Sequence, residues 1–370
     1  MVSMAPTAGG QYHWISEFAP ESAQKFLSYT MGWLSVLAWQ SSTAAGCFLA
    51  ATEFQGVVVL NYPDYVFQNW HGTLIAILIV ILLVVLNTIG VRLLPWLETC
   101  AFVLHMAGFF AFIIPVWFMG PKPSPSTDVF TQFTNQGGWH STGLSVLIGM
   151  ITPVTALIGS NSAVHLSEEL RNASKSLPRV MMATIVLNGG LGFVTMLQHG
   201  DRVPAALRLR AGQRDPLPPR LRPRAGPGRV REIPANAVLF TGAVSSLLSV
   251  INVGSTIAYN QLTSMGIAAL LSSYLVSTSC MALRRVRGRP LLPAHFTLGR
   301  AGLVINLVAM GFLLLALIMS FFPPLARPAP DTMNWAILVY SGVVAASLAY
   351  YIPVGRHHYK GPVVYVRQEV

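Results

Sequence analysis

Leu144 to Met181 reads LSVLIGMITPVTALIGSNSAVHLSEELRNASKSLPRVM, and this stretch decides the fold. An apolar run is interrupted at Gly159-Ser160-Asn161-Ser162. A charged stretch follows, with Glu168, Glu169, Arg171, Lys175 and Arg179, and then a second apolar run begins. A helix on a soluble protein carries an apolar stripe on one side only. This one is apolar on every face up to the charges, as a helix surrounded by lipid must be. A short polar break inside such a helix needs a purpose.

The whole chain shares this character. Hydrophobic residues make up 53% and charged residues 10% of its 370 residues, and the mean hydropathy is +0.56, which places it among integral membrane proteins. The formal charge of +11 is not the footprint of a nucleic-acid partner. Nine arginines against Asp201, Asp215 and Glu232 lie between His199 and Pro234, so more than half of the excess sits in one short segment. Cys47, Cys100 and Cys280 are far apart in apolar runs, with no disulfide framework or metal-ligand spacing. The residues imply no cofactor and no metal.

At about 20 residues per crossing, the uncharged runs predict nine spans and no strands. These are Tyr29 to Thr52, Thr73 to Val91, Ala101 to Gly120, Ser141 to Ala163, Val180 to Leu197, two within Asn236 to Leu283, Leu303 to Phe322, and Trp335 to Ile352. The pair within Asn236 to Leu283 reverses around Gly254 to Asn260. Met1 to Ala19 reads as a loop leading into the first span, without the pattern of a signal peptide. Pro115 implies a kink in the third span rather than its end.

Lysine and arginine gather in alternate connections, at Lys25, Arg92, Arg171 to Arg179, Arg284 to Arg300, and Arg356 to Arg367. The positive-inside rule assigns these to the cytoplasm. The assignment holds from the first span to the fifth and from the sixth to the C-terminus, but one crossing is missing between the two blocks. The segment from His199 to Pro234 cannot supply it, because an arginine at mid-bilayer costs about 2.5 to 3.5 kcal/mol and the prolines forbid a continuous helix. A natural basic loop and a stretch translated through an intron or in a shifted frame are both open readings of this segment.

PTAGGQYHW at Pro6 to Trp14, SYTMGWLSVLAWQ at Ser28 to Gln40, HLSEELRNASKSLPRVM at His165 to Met181 and SLLSVINVGSTIAYNQLTS at Ser246 to Ser264 carry a resemblance. Together they resemble the amino acid/polyamine/organocation (APC) transporters, and most of all the fungal branch of GABA, choline and amino acid permeases. FTLGRAGLVINLVA at Phe296 to Ala309, MNWAILVY at Met333 to Tyr340 and YKGPVV at Tyr359 to Val364 are similar to the same branch. The resemblance implies an all-α polytopic membrane helix bundle: an incomplete leucine-transporter-like inverted-repeat fold of about nine spans. On the family plan, residues 1–198 would hold the end of the second helix and helices three to seven. Residues 199–235 would be an aberrant Arg/Pro-rich insert in place of helix eight, 236–358 helices nine to twelve, and 359–370 a cytoplasmic tail. The absent eighth helix is the crossing that charge parity demands.

In inverted-repeat transporters a discontinuous helix near the midplane offers free carbonyls to an ammonium group and free amides to a carboxylate. Ile158, Gly159, Ser160 and Asn161 are the expected binding segment, although Gly and Ser there also suit close helix packing. Trp39, Gln40 and Ser41, with Ser42 and Thr43, put an indole and polar groups inside a span. They would face either the solute, with Trp39 over a cationic head, or a neighbouring helix. Ser272, Ser273 and Tyr274 would line the far side. Glu168 and Glu169 with Arg171 read as a charge clamp, since His165-Leu-Ser-Glu-Glu lacks the second histidine of helical zinc motifs. Asn172-Ala-Ser174 fits the glycosylation pattern but would lie inside the cell. His105, within a span, is a candidate proton relay or a helix-facing histidine.

The resemblance therefore implies a secondary transporter of amino acids, GABA, choline or related amines, working by alternating access. Its partners would be a small amine or amino acid solute, protons as coupling ion, and the lipid bilayer, with no nucleic acid. It would sit in the plasma membrane with the C-terminus cytoplasmic. No ATP-binding motif of the Walker type supports a pump, and no nucleophile-and-base constellation supports an enzyme. The alternative is a truncated, transport-inactive permease product.

Overall fold

The computed structural model describes residues 1–119, 130–131, 133–170, 172–199, 235–254, 258–330, 332–359 and 361–362, and among them there is no strand. In chain order the helices are α1 (Gly10–Phe18), α2 (Glu21–Asn61), α3 (Asn69–Thr88), α4 (Leu94–Met119), α5 (Thr142–Gly149), α6 (Ile151–Ile158) and α7 (Ser162–His165). They continue with α8 (Ala173–His199), α9 (Ala235–Gly254), α10 (Ala258–Val286), α11 (Gly302–Ser320), α12 (Ala336–Tyr350) and the short α13 (Arg356–His358). Eight helical stretches among the described residues are long and apolar enough to cross a membrane, and Ala235–Ile251 is a shorter apolar helix beside them. The fold is an all-α polytopic bundle, and each run expected to span coincides with one of these stretches. The predicted insert lies almost wholly outside the described residues, as does most of the predicted tail.

Two differences from the expected spans have simple causes. α2 is 41 residues long, about 60 Å at about 1.5 Å per residue, roughly twice the hydrocarbon thickness. An uncharged run marks the part inside lipid, whereas the helix continues past Lys25 at one end and Glu53 at the other. The residues before it are not all loop, for Gly10–Phe18 is helical. That helix is short and weakly patterned, so its stability comes from burial of Trp14, Ile15 and Phe18 and from the Trp14 indole N–H donating to the Ala5 carbonyl at 2.8 Å.

The described residues form two compact units. The first comprises Met1–Val80, Phe133–Asn188 and Ala243–Val370; the second comprises Ile81–Gln132 and Gly189–Gly242. In the second unit α4 remains helical through Pro115, as expected of a proline inside a span, and His105 is exposed on it.

In the first unit the central helix is α10, packed along α2 and α11 and against α1 and α12. Of its most apolar window 72% is buried, against at most 28% for any other candidate span. Its composition explains this position. Ala268, Ala269, Ser273 and Ser277 are fully buried small residues that let neighbouring backbones approach closely. The hydroxyls of Ser272, Ser273, Ser277 and Ser279 donate to carbonyls of their own helix at 2.7 to 3.0 Å, so they enter the interior with their hydrogen bonds satisfied. α10 comes close to α2 at Gly266, where a Cβ would stand 3.0 Å from Ser42 Oγ and 3.4 Å from the Ala38 carbonyl. α11 shows the opposite pattern, exposing Val304, Leu307 and Val308 as a lipid-facing surface would.

Gly266→Leu would wedge α10 away from α2. We expect a loss of about 1 to 3 kcal/mol, read as a lower melting temperature in nanodiscs, whereas Gly46→Leu, where a Cβ meets nothing within 4 Å, should be tolerated. In α1, burial holds the His13 imidazole below its ordinary value, and the Glu17 carboxylate 3.8 Å away raises it less than burial lowers it. The folded pKa lies below the unfolded one, so the stability carried by neutral His13 is complete above about pH 6.5 and is lost as pH falls below that. Acid should therefore lower the melting temperature of the native chain more than that of His13→Gln.

Candidate functional site

The fourth span is built from pieces. Pro153 cannot donate to the Gly149 carbonyl, and α5 gives way to α6 at Met150. At Gly159–Asn161 the helix tightens into a 3-10 turn before α7. Gly159 and Asn161 keep right-handed helical dihedrals, so the polar break is a tightened turn rather than an unwound gap. The Gly159 carbonyl is not bare, since Ser162 Oγ donates to it at 2.8 Å. A Cβ on Gly159 would meet nothing within 4 Å, so close packing is not what requires glycine there.

What the turn does is aim Asn161 inward. Asn161 is fully buried, and its Oδ1 accepts from Gln11 Nε2 at 2.8 Å and from the Tyr274 hydroxyl at 2.6 Å. This knot ties α1, the Gly159–Asn161 turn and α10 together. Asn161 Nδ2 is buried with no partner among the described residues. One turn further on, His165 Nδ1 lies 2.7 Å from the Ala8 carbonyl, and its ring meets the Trp39 ring edge-on with centroids 4.9 Å apart.

Beside this knot lies a recess of about 520 Å³, within the usual size range for small-molecule sites. Thr152, Thr155 and Ala156 of α6 form one wall, and Tyr259, Gln261, Thr263, Ser264 and Ile267 of α10 form another. Met319 and Ser320 of α11 complete it with Leu49, Phe322 and Asn334, while exposed Asn260 and Pro324 stand at its rim. No charged residue among the described ones lines it. Asn334 fixes the rim by donating to the Ser320 and Phe322 carbonyls and accepting from Ala336 N–H at the start of α12. Both α6 and α10 then run on in the same sense. Ile158, Ile267, Leu271 and Ala316 form an apolar layer, and the Gln11–Asn161–Tyr274 knot follows it. From Thr155 to Asn161 is about 9 Å along a helix.

None of the sequence-predicted residues lines the recess. Ile158 packs in the apolar layer, Gly159 is exposed, Ser160 is half-buried and Asn161 is at the knot. Trp39 and Gln40 are half-buried on α2. Ser41 is fully buried where α2 crosses α10, with its hydroxyl donating to the Leu37 carbonyl at 2.6 Å. Of the far-side candidates, Tyr274 joins Asn161, Ser272 pairs with the Tyr340 hydroxyl at 2.7 Å, and Ser273 bonds within its own helix. Sequence reasoning missed Gln11, inside what was taken for a loop, and the recess-lining residues Tyr259, Gln261, Thr263 and Ser264. Their signal was the polar run around Gly254 to Asn260, read only as a reversal. Arg171 of the expected charge clamp lies outside the described residues.

A membrane helix bundle with an uncharged recess of this size has the form of a carrier for small solutes. The profile of the amino acid permease family matches residues 1–198 and 223–343, and the chain belongs to that family. It is a transporter of amino acids or related solutes, embedded in the membrane, and not an enzyme. The chain is 24% identical to a Macrophomina phaseolina protein whose name assigns it to amino acid/polyamine transporters, over 90% of this chain and 85% of that one. It is also 24% identical to a choline transporter of Saccharomyces cerevisiae, over 96% of this chain and 72% of that one. With an amino-acid permease of Arabidopsis thaliana the identity is 22%, over 98% of this chain and 82% of that one.

Tyr274→Phe removes one hydrogen bond to Asn161 and should cost about 1 kcal/mol, whereas Asn161→Ala strands both partners and should cost about 1 to 3 kcal/mol. Unfolding measured in detergent for both variants and their double should give a coupling of about 0.5 kcal/mol or more. Strict additivity would mean that the two side chains do not share a hydrogen bond.

Proposed function

We propose that the recess between α6, α10 and α11 is the solute site of a secondary transporter for small amino acids and related amines, working by alternating access. The observation that carries this reading is a solute-sized recess whose mainly apolar wall carries amides, hydroxyls and one tyrosine, closed at one end by an apolar layer and then the Asn161 knot. In this reading Ile158 to Asn161 seal the recess, and Trp39, Gln40 and Ser41 lie along the path that opens when the seal parts. Protons are the proposed coupling ion. In this reading the Arg284 end of α10 lies in the cytoplasm of a plasma-membrane protein, as in the predicted orientation, and the recess opens to the other side. The predicted division at 198, 235 and 358 is carried forward as part of this proposal.

An uncharged lining favours solutes whose own charges cancel, because a buried net charge needs a counter-charge. A zwitterionic amino acid such as GABA meets that condition. Choline would rely on the Tyr259 ring in place of a carboxylate. A polyamine with several ammonium groups would find nothing to neutralise them, which argues against it here.

Uptake of labelled GABA, neutral amino acids, choline and spermidine by cells lacking their own permeases tests the reading. We expect uptake of zwitterions above the other two, and at least a tenfold loss in Thr155→Trp, which fills the recess, with unchanged surface expression. Full uptake by that variant, or none by the native chain with any of these solutes, would contradict it.

A further inference from the structure

We propose that the end of α10 and the segment after it form a binding site for the headgroups of anionic phospholipids. From Arg284 to Arg300 the chain carries Arg284, Arg285, Arg287, Arg289 and Arg300 and no acidic residue. α10 ends in a Schellman cap: Gly288 N–H donates to the Arg285 carbonyl and Arg289 N–H to the Arg284 carbonyl, both at 3.1 Å, with Gly288 at φ +61°. The cap gives the cluster a fixed backbone rather than a floppy tail.

The arginines divide into two groups. Arg284 and Arg285 are built into the fold. Arg284 donates to the Glu17 and Pro290 carbonyls at 2.9 Å and lies over the Phe18 ring, and Arg285 donates to the Gly299 carbonyl at 3.4 Å beside Gly302. The guanidinium groups of Arg287, Arg289 and Arg300 are exposed and make no hydrogen bond or ion pair among the described residues. Glu17 turns its carboxylate to His13 and contributes to Arg284 only its backbone carbonyl. Three guanidinium groups are thus left without counter-charge among the described residues.

Their position selects the partner. Arg284 and Arg285 occupy the last turn of a membrane-spanning helix, which puts Arg287 and Arg289 at headgroup depth. Val286 is 68% and Phe296 50% exposed, apolar side chains flanking the cations as at an acyl boundary. Guanidinium groups match phosphate oxygens in paired hydrogen bonds. A phosphatidylserine or phosphoinositide headgroup supplies the missing negative charge at that depth, and a soluble anion has no use for the apolar flanks.

Native mass spectrometry of the full chain, released from nanodiscs of phosphatidylcholine with increasing phosphatidylserine, tests this. We expect retention of phosphatidylserine over phosphatidylcholine. Each of Arg287→Gln, Arg289→Gln and Arg300→Gln should weaken that retention about fivefold, the equivalent of about 1 kcal/mol, with unchanged melting temperature in pure phosphatidylcholine. Arg327→Gln, in the connection from α11 to α12, which is not among those assigned to the cytoplasm, serves as the control and should have no effect. Equal retention in the triple glutamine variant, or equal loss in Arg327→Gln, would overturn the proposal. So would competition by glycerophosphoserine at the same concentration as the lipid, which would make this a site for soluble anions.

Discussion

Hydrocarbon offers no hydrogen-bond partners, and the arrangement of the first unit follows from how its polar groups cope with that. The serines of α10 turn their hydroxyls onto carbonyls of their own helix and so become small, dry packing residues. Asn161 cannot do this. Its amide is too demanding for one helix, and it draws Gln11 from α1 and Tyr274 from α10 onto a single oxygen. Tyr259 and Ser264 instead border the open space of the recess. One helix, α10, thus carries three kinds of polar group, and the apolar layer at Ile267 and Leu271 separates those of the recess from the rest.

In the proposed carrier, the strength of the Asn161 knot suits a moving part. Each of the two hydrogen bonds to Asn161 is worth about 0.5 to 1.5 kcal/mol net. A difference of a few kcal/mol is what separates two conformations that a bound solute can interconvert. A knot of charged groups would be costlier to part in low dielectric, and a purely apolar layer would have no directional register to return to. The unpartnered Asn161 Nδ2 fits this view, because a buried amide with one arm satisfied and the other free has reason to adopt a second arrangement.

The spans were legible because the signal is additive: some twenty uncharged residues announce themselves whatever surrounds them. Helix ends were less so, as α2 illustrates, since hydrophobicity marks the lipid slab and the backbone continues through it. α1 was missed because its stability is tertiary and resides in Trp14 and Phe18 finding partners far along the chain. Gly159 to Asn161 stood out in the sequence as a polar interruption, but composition could not tell an unwound gap from a tightened turn. The consequence is large: the first offers peptide groups to a solute, and the second presents one asparagine to two partners. The recess was illegible because threonines at 152 and 155 look like ordinary helix residues until α10 and α11 are set opposite them.

Everything in the functional account depends on the recess opening at one membrane face and being closed at the other. The most direct measurement is thiol labelling of Thr155→Cys in a chain whose Cys47, Cys100 and Cys280 have been replaced, with a membrane-impermeant reagent added to either side of oriented membranes. The account predicts rapid labelling from the face opposite the Arg284 end of α10, slowed by a transported solute. Labelling only from the Arg284 face, or from neither, would contradict it.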